Sequence, residues 1–177
     1  MIDTGKTRLL IDFGLFYGAE YQDKNSIIDF DPKTIDIVLL THAHIDHAGR
    51  IPMLYRYGFK GKVFGTDATK SIAGIMLEMS LNVSEDLGTA IFDYKDYSQT
   101  MRNYVSVPYD QVEDIANDVS VRFRDAGHIL GSSIIEIWIK NKGGTIKVVA
   151  TGDMGTESIP LLRDPAFISD GDYFLGN

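Results

Sequence analysis

The 177-residue sequence contains no cysteine. That absence removes disulfides, thiolate ligands and cysteine nucleophiles together, so any bound metal must be held by His, Asp or Glu. Long apolar runs are also missing. No stretch of about 18 such residues occurs, and no membrane-spanning helix is expected. Residues 1–6 lack the apolar segment of a secretory signal, so a cytoplasmic location is the expectation. Basic residues are outnumbered, with 17 Lys and Arg against 25 Asp and Glu and a net charge of −8. A simple nucleic-acid binder carries a basic face, and this balance does not supply one. Phosphate affinity would have to come from bound dications and local Lys or Arg. Repeats, low-complexity tracts and linkers are absent as well. With 44% hydrophobic residues and this length, residues 1–177 read as one domain.

Histidine is scarce, with four in the chain, but three of them fall within six residues. They sit in Thr41-His42-Ala43-His44-Ile45-Asp46-His47-Ala48-Gly49. The apolar run of residues 35–40 before it reads as a buried strand, and an apolar-periodic segment after it reads as a helix. The cluster therefore lies where a strand ends and a helix begins, the place where open α/β sheets bind ligands. His42 and His44 are two apart and share a face of extended backbone. Asp46 and His47 follow the start of a turn and point elsewhere. Two imidazoles for one ion, and a carboxylate with an imidazole for a second, is a reasonable division. Such donors suit zinc, with manganese or iron as alternatives.

Other acids and one more histidine occupy strand ends. Asp12 closes the strand of residues 8–11; it either orients a ligating histidine or caps a turn. The fourth histidine, His128, lies in Asp125-Ala126-Gly127-His128-Ile129-Leu130-Gly131-Ser132, after the alternating strand of residues 119–123. With a cluster already present, it reads as a third ligand for the first metal. Asp153 ends the strand of residues 145–150 and either bridges two metals or forms a turn. Between these points, helices are expected over residues 50–57, 67–87, 94–104 and 109–116. Ile72, Ile75, Met76, Met79 and Val83 have helical spacing, with the methionines read as core filler. Tyr94, Tyr97, Tyr104 and Tyr109 are read as core and surface aromatics rather than base-stacking positions. Early and late strands with helices after the first ones suit a layered α/β sandwich with its ligands at one edge.

The set Asp12, His42-x-His44-x-Asp46-His47, His128 and Asp153 resembles the metallo-β-lactamase superfamily. The segments Ile11-Asp12-Phe13-Gly14-Leu15-Phe16-Tyr17-Gly18, Gly49-Arg50-Ile51-Pro52 and Ala126-Gly127-His128-Ile129-Leu130-Gly131-Ser132 are similar to its β-CASP branch of RNA- and DNA-processing nucleases. The resemblance implies an αββα sandwich. It covers the N-terminal lactamase-type part without the β-CASP insertion, and it lacks an acid-Ser/Thr-Tyr-Gly motif and two later histidines. The expectation is a segment of a longer protein, or a degenerate relative. It implies a first zinc on His42, His44 and His128, and a weaker second one on Asp46 and His47 with Asp153 bridging. Asp12 supports the histidine loop from behind.

The implied activity is a phosphodiesterase or ribonuclease in which a hydroxide activated by two metals attacks phosphorus in line. Asp46 orients or deprotonates the water. RNA or single-stranded nucleic acid is the expected partner, without a membrane. An uncovered apolar sheet face, if present, would favour self-association. The alternatives are an ester or thioester hydrolase on the same fold and a metal-binding segment without catalysis.

Overall fold

Leu9 and Leu10, and then Ile37, Val38, Leu39 and Leu40, are buried in succession. Alternate residues of a strand face opposite ways, so a run buried at every position needs a layer on each side. The computed structural model, which describes residues 1–176, supplies both layers. Strands β1 (Ile2–Asp3), β2 (Arg8–Ile11), β3 (Ile37–Leu39), β4 (Lys62–Gly65) and β5 (Tyr104–Ser106) form one sheet in chain order. It is parallel from β2 to β5, with β1 antiparallel at its edge. On one face, Leu10, Val38, Leu40 and Val63 pack with Ile51, Leu54 and Ala73. Those three come from helices α2 (Ile51–Arg56) and α3 (Asp67–Asp86), which follow the short α1 (Ile45–Ala48).

On the other face, Leu9, Ile37 and Leu39 pack with Val121, Phe123, Ile135 and Ile137 of a second sheet. That sheet runs β10 (Tyr173–Leu175), β9 (Gly144–Ala150), β8 (Ser133–Asn141), β7 (Val119–Asp125) and β6 (Val112–Ala116). Its pairings are antiparallel except that of β9 with β10. The result is helix, sheet and sheet. Among the described residues no helix covers the outer face of the second sheet, so three of the four expected layers are present. Among the described residues no helix is long and apolar enough to cross a membrane.

Three expectations change here. Residues 109–116 do not form a helix; Val112–Ala116 is strand β6, joined to β7 through Asn117 and Asp118. These are turn-forming residues, and the free edge of β7 offers backbone partners that override a weak helical pattern. The helix expected from residue 94 is α4 (Tyr94–Arg102), held at its start by reciprocal bonds between Asp93 and Asp96; Tyr104 belongs to β5. The long helix begins as expected, with the Thr66 side chain accepting from the Thr69 N–H. Its buried face, however, is Thr69, Ala73, Leu77 and Leu81, while Ile75, Met79 and Val83 are about 60% exposed (61%, 60% and 59%). Spacing finds an apolar stripe but does not say which of two stripes meets the core.

The outer face of the second sheet is not a bare apolar plane. Ile168 covers Ala126, Ile134 and Val149. Beside them Glu136, 1% exposed in its side chain, meets Arg122 at 2.6 and 3.0 Å and Lys147 at 2.6 Å. Lys147 also meets Asp170 at 2.8 Å. Burial works against the Glu136 charge, but hydrogen bonds from Arg122 and Lys147 outweigh it and hold the carboxyl below its ordinary value of 4.5. A carboxylate lowered in this way stabilises the fold above its unfolded pKa, and that contribution is lost as pH falls through the folded value. Glu136→Gln is expected to cost about 2 kcal/mol at pH 7, below the full cost of breaking a buried pair because Arg122 is partly exposed. The gap between the two proteins should narrow below pH 4.5. Urea unfolding at pH 7 and at progressively lower pH measures this, and equal stabilities at pH 7 would refute it.

Candidate metal centre

The C-terminal ends of β2, β3, β7 and β9 meet at one edge of the sandwich. Asp12 follows β2, the segment 41–47 follows β3, His128 follows β7 and Asp153 follows β9. The Ser133 N–H and hydroxyl both donate to the Thr41 carbonyl at 2.9 Å, which fixes the two sheets to each other at this edge. Gly14 lies so close to the turn of α1 that a Cβ there would fall 1.6 Å from the Asp46 carbonyl oxygen. Only glycine lets the backbone pass at that distance.

All four histidines converge. His42 Nε2 lies 3.0 Å from His44 Nδ1, and His128 Nε2 lies 3.2 Å from that same nitrogen. A ligand oxygen of Asp153 joins them, and the four donor atoms lie within 4.8 Å of one another. Asp153 Oδ2 is 3.8 Å from His42 Nε2 and 3.6 Å from His128 Nε2. Its other oxygen, Oδ1, is 3.3 Å from His47 Nε2, which is in turn 3.9 Å from Asp46 Oδ2. The carboxylate of Asp153 thus faces two groups: His42, His44 and His128 on one side, Asp46 and His47 on the other. His128 and Asp153, distant in sequence, are brought beside residues 42–47.

The protons can be assigned from the partners behind the rings. Asp12 accepts from the Thr41 N–H at 2.8 Å, from the Thr41 hydroxyl at 2.7 Å and from His47 Nδ1 at 2.8 Å. Thr41 has one hydroxyl proton, and it goes to Asp12. Its oxygen is then the acceptor for His42 Nδ1–H at 3.0 Å. Both His42 and His47 are left with a bare Nε2 lone pair aimed into the centre. His42 is fully buried. Burial, together with the charges His47 and His44 would carry, holds its pKa down to about 3, although Asp153 acts the other way. Burial also works against a charge on His47, but the Asp12 hydrogen bond and charge, with Asp153 and Asp46, outweigh it and raise its pKa.

These contacts test whether a cation fits. Nitrogen lone pairs 3.0–3.2 Å apart repel unless a proton or a cation lies between them. With its proton on Nδ1, His42 has none on Nε2 to share, so this contact is filled either by a proton on His44 Nδ1 or by a cation. Tetrahedral zinc with Zn–N of 2.0–2.1 Å places ligand nitrogens about 3.3 Å apart, close to what is seen. The His/Asp cluster is therefore consistent with metal binding. Beside it a cleft of about 480 Å³ is lined by Asp12, Phe13, Asp46, His47 and Arg50.

The sequence reading assigned no role to Thr41 or Arg50. Thr41 is the relay between Asp12 and His42. Arg50 is 4% exposed; its guanidinium lies over Phe13 at 4.3 Å and Phe16 at 5.3 Å and donates to the Ile27 carbonyl. It anchors the Gly14–Gly18 loop over the cleft. Its position one residue before the α2 helix was the available signal. Of the tyrosines considered, Tyr104 is buried and Tyr109 is half-buried with its hydroxyl on the Ser132 carbonyl, so these two serve the interior.

Comparison with known proteins adds four findings. A profile of the Metallo-beta-lactamase superfamily matches residues 1–173. Ribonuclease TTHA0252 of Thermus thermophilus is 35% identical over 171 residues, spanning 97% of this chain and 38% of the ribonuclease. Transcription termination factor FttA of Methanosarcina mazei is 34% identical over 170 residues, 94% of this chain and 26% of the factor. The chain thus spans well under half the length of these curated relatives. In fold it is similar to a B3 metallo-β-lactamase with an active-site glutamic acid, at a TM-score of 0.52 and 20% identity, over 90% of this chain and 60% of the other.

Proposed function

The chain belongs to the metallo-β-lactamase superfamily, with a ribonuclease and a transcription termination factor among its relatives, and from that premise we propose that it is the metal-binding part of a phosphodiesterase of β-CASP type that hydrolyses RNA. The observation that carries this reading is the Asp153 carboxylate standing between two sets of donors, three imidazole nitrogens and an acid–imidazole pair. His42, His44 and His128 would hold one zinc, and Asp46 and His47 a second and weaker one, with Asp153 touching both; manganese or iron are the alternatives. Bound there, such a pair supplies a lowered water pKa and positive charge for the phosphoryl oxygens.

The chain's own residues do the rest. Thr41 and Asp12 fix the tautomers of His42 and His47, so that both present a lone pair. Asp46, on the exposed side of the cluster, is placed to orient an attacking water and take its proton. The Arg50 anchor keeps the Gly14–Gly18 loop along one wall of the cleft. A name given to one relative, ribonuclease, favours RNA over other phosphodiesters.

The test is hydrolysis by the zinc- or manganese-reconstituted chain, with a labelled single-stranded RNA, bis(p-nitrophenyl) phosphate and a thioester as parallel substrates. Cleavage of the phosphodiesters and not the thioester is the expected result. Thioester cleavage alone would replace this reading with the small-ester hydrolase. Metal uptake with RNA binding and no turnover would replace it with a binding segment.

A further inference from the structure

The three imidazoles of the first group are not held alike. His42 has Thr41 behind its Nδ1, and His44 Nδ1 faces both of its neighbours. His128 has its Nε2 on His44 and, among the described residues, no hydrogen bond to its other ring nitrogen. The place of the His128 ring is therefore set through its backbone, and the question becomes what holds residues 126–132.

Part of the answer is internal. The Ser132 hydroxyl oxygen accepts from the N–H groups of His128 and Ile129 at 3.1 and 3.2 Å, and the Ser132 carbonyl accepts from Ala126 N–H at 3.1 Å and the Tyr109 hydroxyl at 2.7 Å. Ala126 and Gly127 are also held, by the Gly155 N–H on the Ala126 carbonyl and the Gly127 N–H on Asp125, both at 2.9 Å, and two further bonds come from the start of α3. The Thr66 and Thr69 hydroxyls lie 2.7 and 2.8 Å from the Gly131 carbonyl and 3.1 Å from each other; the two shorter contacts take the protons, so both hydroxyls donate to that carbonyl. Each hydroxyl has one proton, and together they fill both lone pairs of that oxygen. The two threonines are 3% and 0% exposed. The approach is close enough that a Cβ on Gly131, at φ +88°, would lie 2.4 Å from the Thr69 nitrogen. Thr66 still caps the helix, accepting from the Thr69 N–H at 3.2 Å. A cap needs only an acceptor oxygen, so the two donated protons serve something else.

We propose that Thr66 and Thr69 form a two-hydroxyl clamp on the Gly131 carbonyl that positions His128 for the metal centre. They are positioning residues, touching neither metal nor substrate. The inference rests on the metal-centre reading above, and it adds a helix of the first sheet to the groups that set a ligand carried by the second. The clamp gives a reason for a threonine at residue 69, which lies inside α3, where alanine or leucine has the better propensity.

The experiment compares the full chain with Thr69→Val, which keeps shape and removes the donor, Thr69→Ser, which restores it, and Leu81→Val, which loosens the far end of the same helix. Zinc affinity is read by competition with a chromophoric chelator and site geometry by the visible spectrum of the cobalt-substituted chain. The His128 imidazole resonances are read in metal-free protein. Thr69→Val is expected to weaken zinc binding roughly 10- to 100-fold, the range for loss of an outer partner, to alter the cobalt spectrum and to shift or broaden the His128 resonances. Thr69→Ser should recover these, and Leu81→Val should lower the melting temperature with affinity unchanged. Wild-type affinity and wild-type His128 resonances in Thr69→Val would overturn the clamp. So would an affinity loss matched by Leu81→Val. A wild-type chain that takes up no zinc overturns the metal centre instead, and the metal-free resonances still decide the clamp.

Discussion

His44→Ala is expected to abolish uptake of the tight metal equivalent while leaving the chain folded. His44 is the nitrogen donor that both other imidazoles of the first group face, at 3.0 and 3.2 Å. It is also only partly buried and follows β3 rather than packing in either sheet's core, so its truncation removes a ligand without opening a core cavity. Loss of a direct ligand should exceed the roughly 10- to 100-fold cost of losing an outer partner. His42→Ala should have the same effect on metal, with an added stability cost because that ring is fully buried. Lys142→Ala, in the exposed turn between β8 and β9, should change nothing. Elemental analysis after zinc reconstitution, with circular dichroism of each variant, measures the outcome. Wild-type metal content in His44→Ala would remove the first group from consideration.

The stretch 41–49 was legible in the sequence because its chemistry is dense and local: three imidazoles and a carboxylate in six residues have few other uses. The first sheet was legible too, since β2 and β3 are short continuous apolar runs, which a strand buried on both faces must be. What the sequence could not show depends on tertiary placement. Val112–Ala116 is a strand only because β7 presents an edge to it. Ile75, Met79 and Val83 have the same spacing as the residues that do reach the core. Thr41, Thr66 and Thr69 are ordinary residues of strand ends and helix starts, and their hydroxyls acquire a purpose only from partners 29 to 65 positions away. His128 and Asp153 stood out as a histidine and an acid at strand ends, and the family resemblance implied a ligand role for each. The geometry adds that the two oxygens of Asp153 divide between the two groups of donors.

Asp12 is the residue whose loss should reach furthest. It accepts three hydrogen bonds, two from Thr41 and one from His47. It does so from a left-handed backbone conformation, φ +54°, which Asp tolerates better than most residues. Asp12→Ala leaves the Thr41 N–H and a raised-pKa imidazole without their acceptor, each costing about 1–3 kcal/mol when buried. It also puts Ala where φ is positive, for about 1 kcal/mol more. A total of about 3–7 kcal/mol is expected. Asp12→Gly loses the same hydrogen bonds without the backbone strain, so it should lie about 1 kcal/mol above the alanine variant; that difference separates conformation from bonding. Both should weaken the second metal equivalent roughly 10- to 100-fold, because His47 loses the partner that fixes its tautomer. The first equivalent should suffer less, since Thr41 can still accept from His42. Urea unfolding of the metal-free chain and a two-site zinc titration give the two numbers. If both variants kept the second equivalent at wild-type affinity while losing stability, Asp12 would be a strand-end turn former and nothing more.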